Sequence, residues 1–256
     1  MMTRTLFTVS VLCLLATACG GPKRTVTESP AWSTEEGKTQ IRLDLAEAMI
    51  DGERYNEALA MVSLLRSEGR KDPRIDLIQG RCLAAQGLFT EAEAFLQQAA
   101  SRMKKTGEPH HYLGVLFADS GRTQDAVEAF QAATELSPDM AKSWNNLGFL
   151  LLSSRKFQES TPALREAVNL NPNSAKYRMN LAYSLFGEQK QAESLRVFKS
   201  VLNKADAQYN FGVAHELAGN VEKAYEYYNM ALSTDPQHQQ AIAATKRMKR
   251  NEEVPQ

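Results

Sequence analysis

The chain has 256 residues, is 43% hydrophobic and 23% charged, and its 30 Lys and Arg balance 30 Asp and Glu. Such a composition excludes bulk disorder, and zero net charge removes the electrostatic ground for binding nucleic acid, which leans on clustered Lys and Arg. With 14 Gly and 9 Pro and few β-branched runs the chain leans toward helix, and nothing in the composition points to an enzyme.

The N-terminus has the three-part layout of a secretory signal peptide. Arg4 precedes an apolar stretch from Leu6 to Ala16, and small residues follow at Thr17, Ala18 and Cys19. The stretch is shorter than the roughly 18–20 apolar residues that cross a bilayer, and Thr8 and Ser10 interrupt it. Leu15-Ala16-Thr17-Ala18-Cys19 resembles a bacterial lipobox, in which the cysteine is diacylated and becomes the new N-terminus. The family usually places Leu where this chain has Ala16, with Leu15 one residue early. Ordinary cleavage behind Ala16 and Ala18 would instead leave a free N-terminal cysteine; a cysteine at that step favours lipidation of Cys19. Gly20, where Asp would signal inner-membrane retention, implies the outer membrane, with the body facing the periplasm. Residues 1–18 are therefore expected as signal peptide, and 19–32 as lipidated cysteine and flexible linker. Gly20 to Trp32 is polar, Pro-containing and aperiodic, a coil averaging roughly 20 Å. Cys13 leaves with the signal, so Cys82 has no partner for an internal bridge and is expected to pack as a small hydrophobe. Ser33-Thr34-Glu35-Glu36 has capping-box spacing, which starts the first helix there.

From there the chain repeats itself every 34 residues. Leu113-Gly114, Phe117, Gly121, Ala126, Phe130, Ala133 and Pro138 recur as Leu147-Gly148, Leu151, Phe157, Leu164, Ala167 and Pro172, preceded by Trp144. A further copy is Phe211-Gly212, Gly219, Ala224, Tyr228, Ala231 and Pro236. These residues resemble the tetratricopeptide repeat (TPR), and weaker copies fill the gaps. The resemblance implies an all-α, right-handed superhelical solenoid of about six helix-turn-helix repeats over 33–238: 39–72, 73–106, 107–140, 141–174, 175–204 and 205–238. A capping helix over 239–250, with Ala241, Ala244 and Met248 on its apolar side, and a polar tail over 251–256 complete the chain. Small residues at the eighth position (Gly80, Gly114, Gly148, Ala182, Gly212) and Ala at the twentieth let paired helices approach, while large residues at positions 11 and 24 fill the gap. Pro138, Pro172 and Pro236 stop the second helices.

Two places depart from the pattern. The fifth repeat is short by about one helical turn, which predicts a tight junction and a local change of pitch. In the fourth, Ser160 stands at the packing Ala position and Pro162 two residues later, which predicts a helix that starts late at a Ser160 cap or kinks.

In TPR proteins the first helices line the concave groove. The fourth to sixth repeats place Asn146, Asn180 and Asn210 at position six, with Asn145, Phe149, Leu152, Met179, Tyr183, Phe186, Tyr209 and Val213 around them. Each Asn amide offers donor and acceptor to an extended peptide backbone, and the aromatics offer apolar anchoring. This resembles the asparagine ladder of peptide-binding TPR superhelices; Asn at position six is also common in the repeat consensus, so inherited pattern is the competing reading. The two-carboxylate clamp of chaperone-binding TPR domains, framed from the third repeat, lacks its first residues: His111 and Val115 stand there, and Asn180 stands for the Arg. His110 and His111 are adjacent and diverge on a helix, His215 sits at a packing position and His238 at a repeat boundary, and no metal pair, nucleophile elbow or phosphate loop occurs. Lys246-Arg247-Met248-Lys249-Arg250 reads as a solvated helix end whose charge complements the macrodipole.

No catalytic group and no cofactor are implied. The layout resembles TadD-like tight-adherence (Tad/Flp) and type IV pilotin-like pilus-assembly lipoproteins, which implies a non-enzymatic scaffold that holds a protein or extended peptide of an envelope machine. An adaptor for peptidoglycan enzymes or a periplasmic protease (NlpI-like) is the alternative. Oligomeric state stays open.

Overall fold

The computed structural model describes residues 33–253; the signal peptide, Cys19, the linker and the last three residues lie outside the described residues. Among the described residues there are thirteen α-helices and no strand. Twelve form successive hairpins: α1 (Glu35–Asp51) with α2 (Tyr55–Ser67), α3 (Arg74–Ala85) with α4 (Phe89–Arg102), α5 (Glu108–Asp119) with α6 (Thr123–Leu136), α7 (Ala141–Ser153) with α8 (Phe157–Leu170), α9 (Ala175–Gly187) with α10 (Gln191–Val201), and α11 (Lys204–Leu217) with α12 (Val221–Thr234). The last helix, α13 (Gln239–Glu253), packs on α12. Each hairpin touches the next, and no hairpin could bury its apolar stripe alone, so the chain stacks into a superhelical solenoid whose concave face is made by the first helices.

The first helix is capped by Thr34, not Ser33: the Thr34 hydroxyl accepts the Gly37 amide at 3.0 Å. With Gly37 three residues after the cap, the reciprocal Glu of a capping box is missing.

Within each hairpin the eighth residue meets the twenty-fourth. A methyl group added to Gly80, Gly114, Gly148 or Gly212 would sit within 3.0 Å of the side chains of Leu96, Phe130, Leu164 and Tyr228 respectively. Those four side chains are buried, so the eighth-position glycine is the space that the large partner occupies. Ala58, Ala92, Ala126 and Ala224 at the twentieth position are fully buried. In the fourth and fifth hairpins that position is serine, and the hydroxyls of Ser160 and Ser194 each donate at 2.7 Å to the carbonyl of the eighth residue, Gly148 and Ala182. A buried hydroxyl is thereby satisfied across the helix pair.

This corrects the late start expected for the second helix of the fourth repeat. Helix α8 neither starts late nor uses Ser160 as a cap; it runs from Phe157 to Leu170 with Pro162 inside it. Pro162 lies in the second turn, where its missing amide forfeits one bond, and its ring is exposed.

Every first helix ends in the same way. The residue after its C-cap has positive φ: Glu53, Gly87, Gly121, Arg155, Gln189 and Gly219. The next amide reaches back to a carbonyl one turn inside the helix, as Lys156 does to Leu151 and Lys190 to Leu185 (2.8 and 2.9 Å). These are Schellman closures. Three of the six positions carry a side chain where glycine is favoured.

The fifth hairpin is the short one. Helix α10 has 11 residues where α4, α6, α8 and α12 have 14, and Leu202 and Asn203 alone connect it to α11. Asn203 caps α11 by accepting the Asp206 amide at 2.8 Å. At the other end α13 closes the core with Ala241, Ala244 and Met248, all buried. Glu216 of α11 accepts from Tyr228 of α12 (2.5 Å) and Arg247 of α13 (2.6 and 2.8 Å), tying three helices together. Cys82 is buried and free, and burial pushes its thiol up to about 11, which leaves it a protonated packing group.

Candidate functional site

The C-terminal halves of α7, α9 and α11 surround an open cavity of about 710 Å³ on the concave face. Its apolar wall comes from Phe149 and Leu152 on α7, Tyr183 and Phe186 on α9, and Val213 and Leu217 on α11. Three- and four-residue spacing puts each pair on one helix face. Two of these side chains face solvent: Phe149 is 49% exposed and Leu217 64%. Asn180, Asn220, Gln189 and Gln191 supply polar atoms along the rim.

Six of the residues expected in the groove line this cavity: Phe149, Leu152, Asn180, Tyr183, Phe186 and Val213. The other five do not. Asn145 is buried; its amide donates to Asn146 at 3.3 Å and its carbonyl accepts from Asn180 at 2.8 Å. Asn210 accepts the Tyr183 hydroxyl at 2.8 Å and donates to the Asp206 carbonyl at 2.9 Å. Tyr209 packs its ring against Tyr228 and His238, and Met179 is half-buried outside the cavity. The asparagines are therefore engaged with one another and with the helices, and Asn180 alone of the position-six set lines the cavity. Burial pushes the Tyr183 phenol up to about 12, so it stays a hydrogen-bond donor at neutral pH.

Several lining residues stand outside the groove positions of the repeat pattern. Arg155 and Gln189 follow α7 and α9 with positive φ and project into the cavity wall. The Arg155 guanidinium donates at 3.1 Å to the carbonyl of Leu217, the last residue of α11, where a cation complements the helix C-terminus. This one side chain spans the short fifth hairpin. The last residue of α9 is Gly187, where a Cβ would clash with the Phe157 ring, so the glycine leaves room for Phe157 in the cavity lining. Strained backbone gathers at functional sites more often than elsewhere. The readable sign was Arg155 and Gln189 standing where Gly87, Gly121 and Gly219 stand in other repeats.

His111 and His215 are packed in the core. His111 is buried and shares a 2.9 Å hydrogen bond with Ser143; His215 packs among Phe186, Phe211 and Tyr227. Among the described residues no three His, Cys, Asp or Glu side chains converge as metal ligands, and no helix is long and apolar enough to cross a membrane.

A stack of helical hairpins with an open, partly apolar groove on its concave face defines a protein-interaction scaffold. Tetratricopeptide repeat models match residues 43–106, 113–153, 192–239 and 141–174, more than half of the chain, and the protein belongs to that family. Its fold is similar to that of YrrB, a TPR protein described as having an unusual peptide-binding site (24% identity, TM-score 0.60, covering 72% of this chain and 97% of that one). It is similar also to MamA from Desulfovibrio magneticus RS-1 (17% identity, TM-score 0.53, 64% of this chain and 93% of that one). A further MamA structure matches at 20% identity and a TM-score of 0.52, covering 63% and 96%. No curated protein sequence matches the chain significantly.

Proposed function

We propose that this protein is a lipid-anchored scaffold of the bacterial outer membrane, facing the periplasm, which holds a segment of a protein partner in the groove between α7, α9 and α11 and so assists assembly of an envelope machine such as a Tad/Flp or type IV pilus. The observation that carries the binding reading is the open cavity of about 710 Å³ with the exposed Phe149 and Leu217 on its wall. Half-exposed aromatic and aliphatic side chains beside spare amides suit an apolar anchor held by polar rim contacts. The peptide-binding site ascribed to YrrB agrees with that use of the fold. The anchor and the envelope location rest on the sequence around Cys19 alone.

Crosslinking in intact envelopes tests both halves. The wild-type chain should fractionate with membranes and crosslink to a secretin or another pilus component. Cys19→Ser should release it to the soluble fraction, and Phe149→Asp should abolish the crosslink with helicity retained. An unchanged crosslink in Phe149→Asp would place binding outside the groove. Recovery of cell-wall hydrolases or a protease in place of pilus components would favour the NlpI-like adaptor role.

A further inference from the structure

The two ends of the solenoid are finished differently. From the second hairpin to the sixth, each first helix touches the second helix that precedes it. The third position of those first helices is buried as Ile75, Pro109, Ser143 and Ala207 and half-buried as Tyr177. The seventh is buried as Leu113, Leu147, Leu181 and Phe211 and half-buried as Gln79. At the tenth, Ser184 of α9 shares a 2.8 Å hydrogen bond with Thr161 of the preceding α8. Helix α1 has no helix before it among the described residues. Its third, seventh and tenth positions are Ile41, Leu45 and Ala48, all exposed, Ile41 by 53% and Leu45 by 47%. Spaced four and three apart, they share one face, opposite the buried Leu43, Ala46 and Ile50.

An apolar stripe at a solenoid end calls for a cover, because terminal repeats otherwise turn a polar face outward. The surrounding charges say which cover fits. Asp44 and Asp51 border the stripe one turn before and after Ala48, with side chains 55% and 81% exposed. Arg74 holds Asp44 at 3.0 Å, and Arg81 stands 3.8 Å from Asp51. Helix α1 has five acids against two bases. At the other end, α13 turns Ala241, Ala244 and Met248 inward and packs on α12. Its opposite face carries Gln239, Ala243, Lys246 and Arg250, all exposed and spaced as a single stripe. Two α1 faces brought together set acids against acids, and two α13 faces set cations against cations. Only unlike ends are complementary.

We infer that a second copy covers the α1 face, and that it does so with its α13, so that molecules stack end to end. Ala243 and the aliphatic stems of Lys246 and Arg250 lie over Ile41, Leu45 and Ala48, and the charged heads reach Asp44 and Asp51 at the rim. The two cations are about 6 Å apart along their helix and the two acids about 10 Å, a difference that side chains of that length absorb. The contact is heterologous: each copy uses a different surface at each end, so the stack continues and does not close as a dimer. Stacking repeats the cavity of α7, α9 and α11 copy by copy, which gives a partner with several binding segments a multivalent hold. The inference stands without the groove reading.

The test is sedimentation equilibrium of the full chain carrying Cys19→Ser, so that neither an acyl group nor a disulfide at that position joins copies. The weight-average mass should climb past that of a dimer as concentration rises, and fall as salt is added. Asp44→Lys/Asp51→Lys and Lys246→Glu/Arg250→Glu each place like charges at the contact. Either variant alone should associate at least about ten-fold more weakly with its circular dichroism unchanged. Mixed in equal amounts, the two should regain wild-type association, since every α13 then finds an α1 of opposite sign. A monomer at all concentrations, a fixed dimer, wild-type association in either variant, or a mixture no heavier than its parts would overturn the inference. A second measurement does not depend on the charge variants. A Leu45→Cys copy should form a disulfide with an Ala243→Cys copy, and neither with its own kind; bonding of like with like, or none, would overturn it as well.

Discussion

Gly148 shows how little room a single position leaves. Its missing Cβ would lie 2.5 Å from Leu164 Cγ, between α7 and α8, at the hairpin that supplies the groove with Phe149 and Leu152. Gly148→Leu should lower stability by about 1–3 kcal/mol, read as a lower denaturation midpoint by circular dichroism. An unchanged midpoint would mean that α7 and α8 can part without loss. The turn positions make the opposite point. Glu53, Arg155 and Gln189 hold positive φ at a cost of about 1 kcal/mol each relative to glycine. At Arg155 and Gln189 the side chain that costs this also forms the cavity wall. The repeat pattern could not announce that, because a turn residue's direction depends on the hairpin beyond it.

At the level of helices, the contact of α5 with α7 should be sensitive to acid, because it includes the buried His111. His111 is held neutral by burial, with its folded value near 3 against an ordinary 6.5. Between those values the unfolded chain binds the proton and the folded chain does not, so stability is complete above about 6.5 and declines as pH falls through the window. His215, lowered chiefly by burial as well, adds a slope of the same sign. Denaturation midpoints should therefore fall as the solution is acidified, and His111→Asn should flatten part of that fall. An equal slope in the variant would assign the effect to other groups. The same scale explains why α8 starts before Pro162 and runs through it. Local rules treat an interior proline as a break, but α8 is held along its length by Ala163, Leu164 and Ala167 in the core and by the Ser160 bond to Gly148.

Across the molecule, the short fifth hairpin sets the groove. With α10 reduced to 11 residues and two residues joining it to α11, Arg155 reaches Leu217 across 62 positions of sequence. Inserting one helical turn before Leu202 should separate them and widen the cavity. The solenoid should lengthen in small-angle scattering and partner crosslinking should fall, with helicity unchanged. Identical scattering and capture would show that the junction does not govern the groove. The missing turn was visible in the repeat spacing, but its consequence was not, since spacing says that the pitch changes and not which side chains then meet.

The helical hairpins, their order and their core are legible in the repeat, because a 34-residue pattern of small and large residues allows one way of burying each apolar stripe. Which side chains of the first helices remain available follows from how the folded hairpins pack on one another. Six of the expected groove residues line the cavity, while Asn145 and Asn210 are consumed by bonds to neighbouring helices. Contacts of that kind depend on the superhelical stacking of one repeat on the next, a relation between hairpins that no single repeat contains.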